Sequence, residues 1–434
     1  MDLFSSVDPV AAISLGALAV AIVVSCTIRL HVGFLAISLA WLVGVYAAGM
    51  SAREVMAGFP ARLFLTLAGV TLLFSMAQLN GTLDRIAHRA VSYARGNVGV
   101  MPMMFFLLAF LLASIGPGNI AATAIIAPMS MAVAGQVGVP AFLMAIMTGM
   151  GANAGSLSPI APTGVIVNGV MEQFGMGGYE LYNYLNNMMA HTVVVFTAYF
   201  LFGGLKLLGR YHEGAVDVPS SDGTDAVDDA GSVTFSRTHL VTLAVIATLI
   251  VSVIFFDVDV GLGAFAGAVL LSLLKAGDEL EAVKIMPWRV IMMVCGVTVL
   301  IEVLGQTGGL DLFTDLIERP AAIAPTFIMA ASTGFISIYS STSGVVLPAF
   351  LPTVAELGQR LSVEPIALAS AMNVGGHLVD VSPLSTLGAL CMAAAHPSVD
   401  TRDLFNKLMA WGLSMTVVGG LVSWLLFSVL GIGV

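Results

Sequence analysis

Long apolar runs separated by short polar segments dominate the hydrophobic pattern of the chain. Three apolar segments, a polar arm and two further apolar segments open each half, at 10–26, 32–49, 62–79, 82–96, 98–114 and 120–135, and again at 238–256, 260–275, 289–305, 308–321, 323–338 and 344–357. Apolar runs of this length are typical of helices that cross or enter a bilayer. The pattern therefore predicts an all-α polytopic membrane protein with matching halves.

Each pair of apolar segments after the arm is divided by a helix-breaking stretch. Gly-Pro-Gly-Asn (116–119) divides the first pair and Ser-Ser-Thr-Ser (340–343) divides the second. Length alone permits plain spans, since 98–114 would reach about 25 Å at 1.5 Å per residue. The matched position of the two breaks favours re-entrant helical hairpins over 98–135 and 323–357.

A further helix in each half is interrupted by small and polar residues, and one last span follows it. These helices cover 140–170, broken after Gly-Ala-Asn (151–153), and 365–395, broken after Gly-Gly-His (375–377). Non-helical backbone in a membrane is tolerated only where protein or a water-filled cavity supplies hydrogen-bond partners. The breaks therefore indicate a shared polar site.

The second half repeats the first. Residues 59–84 align without gaps on 286–311, which pairs Pro60 with Pro287 and Arg62 with Arg289, and 151–164 align on 375–388. Such internal repeats are common in transporters. We expect a first repeat at 1–210 and a second at 237–434, joined by a linker at 211–236.

Composition supports this class. Hydrophobic residues make up 58% of the 434-residue chain, charged residues 10%, and the mean hydropathy is +0.98, which excludes an ordinary soluble protein. Much of the net charge of −10 lies in the linker, which has acidic residues and no Lys or Arg between 211 and 236. The three cysteines all lie in apolar runs, so we expect no disulfide framework.

Lys and Arg predict the orientation. With re-entrant hairpins and crossing interrupted helices, twelve basic residues share one face and four take the other. The twelve are Arg29, Arg85, Arg89, Arg95, Lys206, Arg210, Arg237, Lys275, Lys284, Arg289, Arg402 and Lys407; the four are Arg53, Arg62, Arg319 and Arg360. The positive-inside rule makes the first face cytoplasmic. We expect five crossings per repeat, inverted repeats, a cytoplasmic linker and both termini outside a bacterial-type plasma (inner) membrane.

The breaks carry the candidate chemistry. Free N–H groups at helix N-termini suit an anion, and free carbonyls suit a cation such as Na⁺. The expected substrate ligands are Asn119, Thr163, Ser341, Thr342, His377, Ser382 and Thr386. The expected cation ligands are Gly116, Gly118, Asn119, Asn153, Ser340, Ser343 and Asp380. No Lys or Arg lies in any break.

Two of these residues have alternative roles. His377 contacts substrate or takes a proton, or it is a histidine hydrogen-bonded inside the protein. Asp380 ligates a cation or accepts a proton, or it caps the helix that starts near Ser382.

The stretches GPGNIAATAIIAP and GANAGSLSPIAPTGVIVNGVM, within 116–171, resemble the malonate-type (MatC-like) dicarboxylate carriers of the ion transporter superfamily, which includes the divalent anion/sodium symporters. The resemblance implies a homodimer with a scaffold and an elevator-type transport domain. It also implies Na⁺ ligation by backbone carbonyls of the interrupted helices, which adds Gly151 and Gly375 to the cation set. The hairpin tips depart from the symporters' Ser-Asn-Thr, since the first keeps only Asn119 and the second has no Asn.

We therefore predict a secondary active transporter of a small dicarboxylate or similar organic anion, coupled to Na⁺, that works in the lipid bilayer and binds no nucleic acid. The main alternative is a proton-coupled transporter or efflux antiporter of the same fold, using Asp380 and His377. A passive channel is a further alternative. An enzyme is disfavoured, because the sequence has neither His-Glu-x-x-His nor Gly-x-Ser-x-Gly.

Overall fold

The computed structural model describes residues 8–27, 30–91, 97–211 and 235–433. These residues form helices, and within them the only β pairing is an isolated bridge between Asn97 and Tyr211. In this described part of the chain, six helical segments are long and apolar enough to cross a membrane, or seven if the pair Gly309–Ala321 and Pro325–Ser337, bent by 116°, forms one span. The prediction of an all-α polytopic membrane protein is confirmed.

The helices of the first half lie close to the predicted apolar segments. They are α1 (Pro9–Thr27), α2 (Val32–Trp41, continued by a π-helical turn to Ala47), α3 (Ala52–Ala57), α4 (Ala61–Leu79), α5 (Thr82–Val91), α6 (Val100–Ser114), α7 (Gly118–Val137), α8 (Ala141–Gly155), α9 (Pro162–Gln173) and α10 (Glu180–Leu201). Most of the predicted acidic linker, together with Arg29 and Arg95, lies outside the described residues.

The second half follows the same order, including a short helix before its third long helix. It contains α11 (Arg237–Phe256), α12 (Val260–Leu273), α13 (Glu279–Ile285), α14 (Trp288–Gln306), α15 (Gly309–Ala321), α16 (Pro325–Ser337), α17 (Leu347–Phe350), α18 (Val354–Leu361), α19 (Pro365–Leu378), α20 (Thr386–Ala393) and α21 (Thr401–Ser423). The segment expected as one apolar helix at 344–357 is instead a series of short helical pieces. Pro348 and Pro352 lack the N–H that a continuous helix requires.

The first break is a tight turn between α6 and α7. Gly116 and Gly118 have φ values of 137° and 78°, a region that side-chain-bearing residues rarely adopt. A Cβ at Gly116 would also lie 1.9 Å from the ring of Phe74. The sequence breaks the helix here because only glycine fits the turn and the ring packed against it.

Corresponding glycines let corresponding helices approach closely in the two halves. A Cβ at Gly151 of α8 would lie 2.3 Å from the carbonyl oxygen of Phe106 in α6. A Cβ at Gly375 of α19 would lie 2.0 Å from the carbonyl oxygen of Ala330 in α16. Gly375 and Ala330 each lie 224 positions after their counterparts, Gly151 and Phe106. Equivalent residues of the two halves therefore make the same packing contact.

The halves also exchange contacts. A Cβ at Gly69 of α4 would lie 2.3 Å from the carbonyl oxygen of Gly261 in α12, and one at Gly296 of α14 would lie 2.2 Å from that of Gly33 in α2. Thus the third long helix of each half packs on the second helix of the other. A two-fold relation between the repeats would produce this reciprocity; their inverted orientation stays a prediction.

Polar contacts show the same exchange. Asn80, after α4, donates to Thr242 of α11 at 2.8 Å, and Thr307, after α14, donates to Ser14 of α1 at 2.8 Å. Together with the glycine contacts, these two hydrogen bonds join the first three long helices of one half to those of the other.

Replacing Gly296 with Ala tests this helix contact. The added methyl group would overlap the backbone of α2, and overpacking of this kind costs about 1–3 kcal/mol. We expect the thermal unfolding midpoint in detergent to fall by several degrees.

Gly305→Ala, in the same helix, is the matched control. A Cβ there meets no atom within 4 Å, and Ala favours a helix over Gly by roughly 1 kcal/mol. The control should be neutral or stabilising. Equal melting temperatures for the two variants would contradict the close α2–α14 contact.

Candidate functional site

A cavity of about 320 Å³ lies where the two broken segments meet. We call it the tip cavity. Asn119 and Ile120 line it from the start of α7, Tyr339 to Ser343 line it from the second break, and Asp380 and Thr386 line it from the interrupted α19–α20. The remaining wall comes from α1, the start of α2 and the first turns of α14. Residues distant in sequence thus share one cavity.

A second cavity of about 230 Å³ adjoins it, with Asn119, Ile120, Val290 and Ser343 on the boundary. We call it the first-tip cavity, because Gly116 to Ala121 line it together with Thr163 in the first turn of α9. Phe74 and Ile166 make part of its wall apolar. The chain around Asn119 therefore faces two adjoining spaces.

Most of the predicted site residues line these cavities. In the tip cavity are Asn119, Ser340, Ser341, Thr342, Ser343, Asp380 and Thr386; in the first-tip cavity are Gly116, Gly118 and Thr163. Five predicted residues line neither: Gly151, Asn153, Gly375, His377 and Ser382. Gly151 and Gly375 lie at the close helix contacts described above. Ser382 faces Gly412 of α21, and its hydroxyl accepts a hydrogen bond from the Leu384 N–H at 3.2 Å.

Oxygen atoms converge beside Asp380. The Thr342 hydroxyl lies 2.8 Å from the Asp380 carboxylate and 3.3 Å from the Gly376 carbonyl oxygen, and it can donate to either. The buried Ser337 hydroxyl has no hydrogen-bond partner among the described residues, and it faces Gly376. Carboxylate, carbonyl and hydroxyl oxygens are the ligands that hard cations prefer. This cluster could hold a monovalent cation or a proton.

Asn153 joins the first tip to the second interrupted helix. Its side chain accepts a hydrogen bond from Asn119 at 2.9 Å and donates to the carbonyl oxygen of His377 at 2.8 Å. Its own carbonyl oxygen accepts from Asn187 at 2.8 Å. Asn153 is fully buried, so these bonds replace the water that its amide would otherwise need. It acts here as a support of the tip.

His377 is buried behind this contact and lines neither cavity. Its Nδ1 lies 2.8 Å from the carbonyl oxygen of Asn373 one turn earlier, an atom that can only accept, so Nδ1 carries the proton. Its Nε2 has no partner among the described residues. The structure thus places His377 in the interior network and outside the lining of both cavities.

One face of α10 carries polar residues that the sequence analysis missed. Asn183, Asn186, Asn187 and His191 are all buried. Asn373 donates to Asn183 at 3.2 Å, and Asn186 donates to Ser370 at 2.8 Å, which ties α10 to α19. The spacing of these residues places them on one helical face. That spacing, in an otherwise apolar span, was the available signal.

Arg289 was also missed as a site residue. It is exposed in the first turn of α14 and lines the tip cavity. Among the residues described, no carboxylate forms an ion pair with it. The expectation that no cationic side chain lies in a break holds for the sequence of the breaks, but the fold brings this arginine to them from another helix.

Comparison with known proteins identifies the kind of molecule. Residues 9–156 match the family described as the N-terminus of the dicarboxylate carrier protein MatC. This match confirms the resemblance found in the sequence, and it indicates a transporter and not an enzyme. No curated protein matches the chain significantly.

Two solved structures share the fold. One is the YdaH transporter of Alcanivorax borkumensis, described as having an unusual topology (14% identity, 97% of each chain covered, TM-score 0.58). The other is MtrF of Neisseria gonorrhoeae, described with a class of antimetabolite efflux pumps (11% identity, 97% of this chain and 95% of that chain, TM-score 0.57). At these identities the likeness concerns the fold alone.

The Asn119–Asn153 hydrogen bond can be measured with a double-mutant cycle. We expect Asn119→Ala and Asn153→Ala each to lower the free energy of unfolding, and the double variant to lose less than the sum by roughly 1 kcal/mol. Reversible unfolding in mixed detergent would supply the four free energies.

Asn97→Ala is the control partner for Asn153→Ala. Asn97 accepts from the Gly99 N–H at 3.1 Å at the start of α6 and lines neither cavity. The losses of this pair should add. Additive losses for Asn119 and Asn153 as well would show that the bond contributes nothing.

Proposed function

Starting from the carrier match over residues 9–156, we propose that the protein is a secondary active transporter of a small dicarboxylate or similar organic anion, malonate- or succinate-like, driven by Na⁺. The observation that supports this most is the tip cavity, where hydroxyl and amide groups from both breaks surround a space of about 320 Å³. A cavity of that size suits a small molecule.

The polar groups divide into two kinds. The hydroxyls of Ser341 and Thr386 and the backbone N–H groups of the tips can donate to a carboxylate. The carboxylate of Asp380, with the Thr342 hydroxyl and the Gly376 carbonyl oxygen, presents acceptors to a cation. Anion and cation would then bind side by side.

Asp380 makes the cation necessary in this proposal. Two unit negative charges about 4 Å apart repel each other by about 4 kcal/mol at an effective dielectric constant near 20. That penalty would lower the affinity for an anion roughly a thousandfold at 1.4 kcal/mol per tenfold change. A cation at Asp380 removes the repulsion, so the two solutes bind together and move together.

The walls of the tip cavity suggest the movement. Hairpin tips and the α19–α20 break form part of the wall, and α1, α2 and α14 supply the rest. We propose that the first group shifts across the bilayer against the second, as an elevator, within a homodimer. We further propose that the repeats are inverted, with hairpins that re-enter the membrane, a cytoplasmic linker and outside termini in the inner membrane.

A proton at Asp380 would remove the same charge. Proton-coupled transport or efflux on this fold is therefore the second candidate, and the partly buried carboxylate in the cavity is the observation that favours it. The nature of the driving gradient distinguishes the two.

Uptake into proteoliposomes tests the function. We expect radiolabelled malonate or succinate to accumulate under an inward Na⁺ gradient and to stop accumulating when choline replaces Na⁺. Accumulation under a pH gradient alone would select the proton-coupled candidate. The dicarboxylate proposal is wrong if neither anion moves under any cation gradient.

The role of Asp380 can be tested by ligand-induced stabilisation in detergent. In the wild type, malonate should raise the melting temperature in Na⁺ and much less in choline at equal ionic strength. In Asp380→Asn the neutral amide removes the repulsion, so the malonate effect should become equal in the two salts. Asp257→Asn, at a left-handed turn position outside the cavities, serves as control. Wild-type Na⁺ dependence in Asp380→Asn would exclude the carboxylate as the coupling group.

A further inference from the structure

The duplicated arginines have different surroundings. Arg62 and Arg289 occupy equivalent positions, 227 residues apart, in the first turns of α4 and α14. Arg62 forms an ion pair with Glu172 at the end of α9. Arg289 has no such partner among the described residues. Both arginines line cavities, Arg62 one of about 490 Å³ that Glu172 also lines and Arg289 the tip cavity, but only Arg62 is neutralised by a carboxylate among the described residues.

The sequence explains the difference. At the offset that aligns the interrupted helices, the position equivalent to Glu172 is His396. His396 lies after α20, where its Nδ1 is 2.8 Å from the hydroxyl of Ser398, and it lines no part of the tip cavity. The second half thus retains the arginine and lacks its carboxylate partner.

Arg289 is the only Lys or Arg among the described residues that line the tip cavity. The other polar groups there are neutral donors and the carboxylate of Asp380. Neutral donors can hold one carboxylate group, but a guanidinium forms two parallel charge-assisted hydrogen bonds that match carboxylate geometry. A substrate with a second carboxylate has a defined partner for it in the same cavity.

We propose that Arg289 determines specificity for dicarboxylates: the hairpin tips bind one carboxylate of the substrate, and Arg289 on α14 binds the other. This inference rests on the proposed function and goes beyond it. It gives the two carboxylates of the substrate separate ligands within the tip cavity. A monocarboxylate would occupy the tips and gain nothing from Arg289.

The test compares affinities for malonate and propionate, measured as ligand-induced stabilisation of the purified protein in Na⁺ at constant ionic strength. We expect the wild type to prefer malonate. Loss of a charge-assisted contact in Arg289→Gln should reduce the malonate affinity about 10- to 100-fold. The propionate affinity should change by no more than about threefold. Arg289→Lys, which keeps the charge and loses the paired geometry, should fall between the two.

Arg62→Gln is the matched control, since it removes the equivalent arginine from an exposed ion pair that contributes little stability. It should leave both affinities unchanged. The inference fails if Arg289→Gln keeps the wild-type preference, or if it weakens both ligands equally, as a structural role would. Absence of binding of malonate, succinate and propionate by the wild type would instead overturn the proposed function, and the specificity role with it.

Discussion

The structure depends on one constraint: a backbone break inside an apolar protein must find partners for its N–H and C=O groups. The four breaks satisfy it collectively, because their ends lie together. Asn153 shows how this works, since its amide joins the first tip at Asn119 to the carbonyl oxygen of His377 in the other half. Around the breaks, paired glycines let neighbouring helices pack in close contact. The polar groups left over at the tips are the ones that line the cavity.

The two halves share the residues that pack their helices, and they differ in the polar residues at the breaks. The packing glycines are retained in equivalent positions of both halves, so the helices meet in the same way. The polar residues differ: Ser156 in the first half corresponds to Asp380 in the second, and Asn153 corresponds to His377. In the first half the arginine that follows the shared proline is paired with Glu172, whereas in the second half the equivalent Arg289 lines the tip cavity. A symmetric scaffold therefore encloses an asymmetric site, in which charge comes mainly from the second repeat.

Much of this could be predicted from the sequence, because apolar length and helix-breaking residues act locally. The bounds of the long helices and the turn at Gly116 follow from such signals. The convergence of the two tips follows from the matched positions of the breaks in the two halves. Arg289 could not be found this way: it lies outside the breaks, and only packing of α14 against the tips brings it to them. The asparagines of α10 carried a readable spacing that was overlooked. Gly151 and Gly375 lie at close contacts between helices, and ligation of a cation by their carbonyl oxygens stays a prediction. The His377 side chain is buried against the Asn373 carbonyl oxygen, and its role in binding substrate stays a prediction.

The central claim is that an organic dianion binds in the tip cavity between the two hairpin tips, with a cation beside Asp380. A cryo-EM structure in nanodiscs with malonate and Na⁺, compared with one in choline without malonate, would test it most directly. We expect added density for the anion between Ser341 and Arg289, and for the cation beside Asp380. Malonate density confined to another part of the protein, with the tip cavity unchanged between the two conditions, would contradict it.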